Sequence, residues 1–184
     1  MKSFFKRIPV VVESNRSVHS IAAFGTIICL ATASNTPAWA QQTSASLKQQ
    51  IVGSWTLTAQ WVEQDGKKIE RFGSTPKGIV IYDQNGRFAS ILMRSDLPKF
   101  ASNNAMTGTP EENKAVVQGS TAFFGRWSVN ENGTFESHID GATFPAWDGQ
   151  TQKRIMTISG DELKGCVPNA QIGGTACATY RRIK

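Results

Sequence analysis

His138 and Asp140, two residues apart, are of the types that acid–base chemistry needs. An imidazole exchanges a proton near neutral pH, and a carboxylate can orient it. Strand alternation puts Glu136, His138 and Asp140 on one face and Phe135, Ser137 and Ile139 on the other. If the apolar set fills the core, His138 faces water; if the interior is polar and hydrated, His138 and Asp140 form an acid–base pair. Arg94, Arg126 and Arg154 each fall in a stretch that reads as a strand, where a buried guanidinium without a partner would be too costly to keep. They could converge on a ligand carboxylate, or on Glu136 and Asp140, or each could point to solvent. Tyr82, Met93, Phe123, Trp127 and Trp147 are candidates to line an apolar pocket, with core packing as the alternative for each.

Other chemistries find no support. Beyond the first forty residues His138 is the only histidine, so a His-rich metal centre is not expected. No glycine-rich phosphate loop follows a strand and opens a helix, and Ser74, Ser90 and Ser120 lack the Gly-x-Ser-x-Gly context of a nucleophile elbow. No cofactor is implied.

The N-terminus carries Lys2, Lys6, Arg7 and Arg16, an apolar run from Ile21 to Ala33, and Ala38-Trp39-Ala40 ahead of Gln41. This is the layout of a secretory signal peptide, residues 1–40, cleaved near Ala40. A membrane anchor would need about 20 unbroken apolar residues, whereas this run is interrupted by Gly25, Thr26 and Thr32. Lipoprotein processing at Cys29 would want a small residue where Ile28 stands. Export to the periplasm or beyond the cell is therefore expected. The formal charge of +6 loses four cations and one anion with the leader, leaving 16 against 13, or +3. These charges are scattered, which argues against a nucleic-acid partner. Cys166 and Cys177 remain; in an oxidising compartment they are expected to pair, since they lack CxxC spacing and neighbouring histidines.

The elements that must position these residues read as all-β. Residues 41–46 form a polar stub, and 47–184 form one domain. Short segments rich in Val, Ile, Thr and aromatics predict strands near Ile51–Val62, Lys67–Arg71, Gly78–Tyr82, Arg87–Arg94, Phe123–Asn130, Thr134–Asp140, Gln152–Ser159, Glu162–Gly165 and Ala176–Ile183. Asp83-Gln84-Asn85-Gly86, Asn130-Glu131-Asn132-Gly133 and Ser159-Gly160-Asp161 predict three tight hairpins, hence antiparallel pairing. Thr109-Pro110-Glu111-Glu112 carries the capping signals of one short helix running to Gly119, preceded by a polar loop from Pro98. Loop and helix could lid an opening or simply cross the surface.

Gly53-Ser54-Trp55 near the start of the first strand and Arg181-Arg182 near the end of the last resemble the lipocalin and fatty-acid-binding-protein superfamily, where a terminal arginine packs over that tryptophan. With Gly78–Asp83, Gly86-Arg87-Phe88, Met93-Arg94, Phe124-Gly125-Arg126-Trp127, His138 and Pro145–Gly149 followed by Arg154, the chain resembles the bacterial and fungal lipocalin-like domain family over Leu47–Ile183. The resemblance implies an eight- or nine-stranded antiparallel barrel and an inward His138, and some relatives shape or cyclise small apolar substrates. Phe124 departs from the tyrosine expected there. Three readings follow. The first is a binder of a small apolar molecule, with or without a carboxylate; the second a cofactor-free isomerase or cyclase using His138 and Asp140; the third an envelope interaction or inhibitor protein acting through its loops. The residues favour a binder over an enzyme and set no oligomeric state.

Overall fold

The structure, a computed structural model, describes residues 44–184. The expected signal peptide, residues 1–40, and its expected cleavage near Ala40 lie outside the described residues. A short helix, α1 (Ser44–Ile51), leads into β1 (Gly53–Gln64), β2 (Lys67–Ile69), β3 (Lys77–Tyr82) and β4 (Arg87–Met93). Helix α2 (Pro110–Gly119) then precedes β5 (Ser120–Val129) and β6 (Phe135–Ala142). After a single 3-10 turn at Pro145–Trp147 come β7 (Thr151–Ser159), β8 (Glu162–Val167) and β9 (Thr175–Arg182). β1 pairs antiparallel with both β2 and β3, each strand from β3 to β8 pairs antiparallel with the next, and β1 pairs with β9 from Trp55↔Arg182 to Glu63↔Thr175. That last pairing closes an eight-stranded barrel, with β2 an extra strand folded back on the end of β1.

The three hairpins form where expected. Gly86 and Gly133 take φ of 81° and 77°, which a side chain would resist, and the Asp83 carboxylate accepts from the Arg87 amide at 2.7 Å to fix the first. Helix α2 carries the expected capping box, Thr109 Oγ1 accepting from Glu112 N while Glu112 accepts from Thr109 N. Helix α1 is additional: it begins within the expected stub, and β1 starts at Gly53 rather than Ile51.

The reason for α1 lies in tertiary packing. Its Leu47 and Ile51 are buried against the barrel end, and its last carbonyls are taken up by residues distant in sequence or in the next strand. Trp55 Nε1 donates to Ile51 O at 2.8 Å, and the Arg182 guanidinium donates to Val52 O and Gln50 O while lying 4.0 Å from the Trp55 ring centre. A cation at a helix C-terminus also suits the helix dipole. Of the terminal arginines, Arg182 makes this contact and Arg181 is exposed. Gly53 is required here because its φ is 131° and a Cβ would press on Arg182 Nη1.

Two irregularities bend the barrel: one in β1 between Leu57 and Ala59, and one where β5 meets β6 at Phe124/Gly125. A Cβ at Gly125 would run into the His138 carbonyl, so the second depends on glycine. Cys166 and Cys177 stand directly opposite on β8 and β9 and are disulfide-bonded. Replacing both with serine should lower the unfolding free energy by about 3 kcal/mol on chain-entropy grounds for a loop of this length. A urea midpoint unchanged from the oxidised protein would contradict this.

Candidate functional site

Inward-facing side chains fill one end of the barrel and leave the other hollow. At the α1 end Trp55, Tyr82, Trp127, Phe135, Ile139 and Leu163 are buried together, with Trp127 stacked on Phe135 and Tyr82 edge-on to both. At the opposite end lies a cavity of about 490 Å³, within the range that takes one small ligand. Its walls come from the far half of β1, the starts of β5, β7 and β9, the 3-10 turn, Arg71-Phe72 and the loop after Val167 that the disulfide pins.

Phe123 organises one wall. The Trp147 ring meets it edge-on at 5.4 Å, and the Arg154 guanidinium lies 5.4 Å from its ring centre. Arg154 is partly buried and held by two neutral acceptors: Nε donates to Ser137 Oγ at 3.2 Å and Nη2 to Gln152 Oε1 at 2.9 Å. Among the described residues no carboxylate is within ion-pair distance of it, nor of Arg71, whereas Lys153, the third cation on the cavity, lies 3.9 Å from Glu136. Desolvation draws the Arg71 guanidinium below its ordinary value, but an arginine remains a cation throughout the accessible range. Burial pushes the Tyr180 phenol up, with Tyr82 adding to the effect and Arg154 opposing it; burial likewise raises Tyr82. Both phenols stay protonated, so the cavity's fixed charge is positive.

Three side-chain polar atoms are fully buried without a hydrogen-bond partner among the described residues: Gln60 Oε1, Ser90 Oγ and Trp147 Nε1, of which Gln60 and Trp147 belong to cavity-lining residues. Gln60 is reached through the β1 irregularity. Trp55 and Leu57 point inward, the register with β9 then slips by one, and the inward positions become Gln60 and Val62.

The candidate residues divide cleanly. Phe123, Trp147 and Arg154 line the cavity, while Tyr82 and Trp127 belong to the packed end. Met93 is half-buried beyond the inward series Phe88, Ser90, Leu92 and does not line it. The arginines do not converge: Arg94 makes a two-pronged ion pair with Asp96, and Arg126, 60% exposed, sits 3.4 Å from Asp140. His138 lies on the outer face rather than inside, because the apolar Phe135 and Ile139 and the small Ser137 take the inward positions. Its Nδ1 is 3.1 Å from Thr151 Oγ1, and its Nε2 is 3.8 Å from Asp140.

Asp140 is turned toward Arg87 at 2.8 Å; partial desolvation pushes its carboxyl up, but the Arg87 hydrogen bond and the Arg126 and Arg87 charges hold it below the usual range. It is thus a poor proton acceptor. His138→Ala is accordingly expected to leave affinity for a cavity ligand within about twofold, since no contact is lost inside; a larger loss by calorimetric titration would contradict this placement. Phe124 is also on the outer face, half exposed, so a phenol there would not enter the cavity. The 98–119 loop and helix contribute no cavity-lining residue.

Sequence reasoning missed Gln60, Arg71, Phe72, Thr121 and Tyr180. Gln60 needed knowledge of the bulge, and Arg71-Phe72 lie in a loop whose path is set by packing alone.

A lipocalin-like domain model matches residues 52–183. Over 80 residues the chain is 28% identical to the 4'-hydroxy-3'-methoxypropiophenone carrier protein of Aspergillus oryzae, a match covering 40% of this chain and 72% of that protein. The closed antiparallel barrel, the Trp55–Arg182 closure and a family match that runs from just before β1 to just past β9 agree, and the chain belongs to the lipocalin-like domain family.

Proposed function

We propose that this protein is an exported carrier that holds one small, mainly apolar molecule in its barrel, with an acidic or carbonyl oxygen of that molecule turned toward Arg154. The observation that carries the reading is a cavity of about 490 Å³ with Phe72, Leu92, Phe123 and Trp147 in its walls and a guanidinium paired only with neutral groups. Nη1 of Arg154 is left without a protein acceptor among the described residues. A partly buried cation in this condition gains most from a ligand anion or strong acceptor, because a charge-assisted hydrogen bond is about twice as strong as a neutral one. The carrier named for 4'-hydroxy-3'-methoxypropiophenone supports the same reading, its ligand being compact and aromatic with a carbonyl. Export is supported by the leader-like residues 1–40 and by a disulfide of the kind that persists outside reducing compartments. The acid–base alternative loses ground because His138 and Asp140 do not face the cavity.

Native mass spectrometry of the protein taken from its own envelope fraction tests the reading. The expected result is a chain starting at Gln41, two hydrogens below its reduced mass, with extra mass that leaves on denaturation. Purified apo protein should then take up the apolar anionic fluorophore anilinonaphthalene sulfonate. A clean apo mass together with no fluorophore uptake would overturn it.

A further inference from the structure

We infer that the cavity takes a ligand with two acidic groups on one apolar body, the first meeting Arg154 on β7 and the second meeting Arg71 in the loop after β2. The inference rests on the carrier reading and narrows its ligand class. Both arginines line the cavity and both are half-buried, so each stays reachable. The cavity-lining residues include three cations and no aspartate or glutamate. Lys153 is 75% exposed and lies 3.9 Å from Glu136, which leaves the two arginines without a counter-charge among the described residues.

Arg71 is the less satisfied of the two. Arg154 has Ser137 and Gln152 as neutral acceptors. The Arg71 guanidinium makes no hydrogen bond to the described residues and lies 4.8 Å from the ring centre of Phe72. Burial draws it below its ordinary value, with no opposing charge or hydrogen bond to offset the lost hydration. Phe72 anchors the position: it is 2% exposed, belongs to the core and forms part of the cavity wall. The loop cannot carry Arg71 away without emptying a buried aromatic position. The two cations also reach the cavity from different walls. Arg71 follows β2, which is paired to the far end of β1 through Val62↔Ile69, while Arg154 comes from β7, separated from β1 by β8 and β9.

Two cations on one cavity of about 490 Å³ repel each other, and each gives up hydration to be there. A single carboxylate on Arg154 leaves Arg71 as it was. Two acidic groups offset both, each with a charge-assisted hydrogen bond. A cavity with one usable cation would behave in the opposite way, because a second carboxylate would be desolvated without a partner. The sign of the preference between a monoacid and a diacid therefore reports whether Arg71 takes part.

Calorimetric titration of the apo protein with phenylpropanoate and 4-carboxyphenylpropanoate, which differ by one carboxylate, is the direct test. The diacid is expected to bind tighter by about tenfold, and its affinity should fall more steeply as salt is raised. In Arg71→Met the ratio should drop to one or below, while Arg71→Lys, which keeps the charge, should hold part of the preference. Equal affinities in the wild type, a preference for the monoacid, or a diacid preference that survives in Arg71→Met would overturn the inference. If the fluorophore binds and neither acid does, the two-acid ligand is wrong and the carrier reading stands. If the fluorophore also fails, the carrier reading falls with it.

Discussion

Arg154→Ala should weaken binding of an apolar carboxylate by roughly ten- to a hundredfold, the loss of a charge-assisted hydrogen bond worth about 1.5–3 kcal/mol. Three placements make this the largest effect expected on binding. Arg154 lies over Phe123 at the cavity wall, its Nε and Nη2 are held by Ser137 and Gln152, and no protein carboxylate neutralises it among the described residues. The side chain is therefore already oriented, and little rotamer freedom is lost when a ligand arrives. Arg94→Ala and Arg126→Ala are the matched controls. Both are exposed, at 45% and 60%, and both are engaged with carboxylates outside the barrel, so each should leave affinity unchanged. Arg154→Lys should recover only part of the loss, because an ammonium cannot reproduce the planar fork that spans Ser137, Gln152 and a ligand oxygen. Titration of all four variants with one carboxylate decides the matter: equal affinities across the set would remove Arg154 from the site.

Trp55→Ala is expected to cost about 3–5 kcal/mol of stability, the range for emptying a fully buried aromatic position. Trp55 is 0% exposed, and its loss reaches beyond the void it leaves. Ile51 O would lose its donor, and Arg182 would lose the indole face that positions it to donate to Val52 O and Gln50 O. The α1 plug and the β1–β9 seam should loosen together. For a domain of this size the melting temperature should fall by roughly 10–15 °C, read by circular dichroism. The cavity sits at the other end of the barrel, so ligand affinity measured well below the transition should change far less than in Arg154→Ala. A shift of only a degree or two would show that the closure contributes little.

Hairpin positions, the α2 capping box and the pairing of Cys166 with Cys177 were legible in the chain because each depends on residues close together or on residue types with few options. The alternation Phe135, Ser137, Ile139 also carried the correct orientation of β6, against the inward His138 that family resemblance implied. Packing the apolar set inward and leaving an imidazole half in water costs less than the reverse.

What the sequence by itself determined was therefore local and periodic: an all-β chain, its turns, one capped helix, and a Gly-x-Trp and terminal arginine that predicted closure. Tertiary structure decided the rest. A one-residue slip in β1, seen only against β9, turned Gln60 inward; helix α1 formed because the barrel end supplied Trp55 and Arg182 to its last carbonyls. Of the three arginines with equal claims in the sequence, only Arg154 faced the interior, because Arg94, just past the end of β4, and Arg126 had carboxylates on the outer surface while Arg154 found Ser137, Gln152 and the face of Phe123 within. Which charge a barrel keeps inside depends on the partners that the closed sheet brings together across its width, and those partners are not neighbours in the chain.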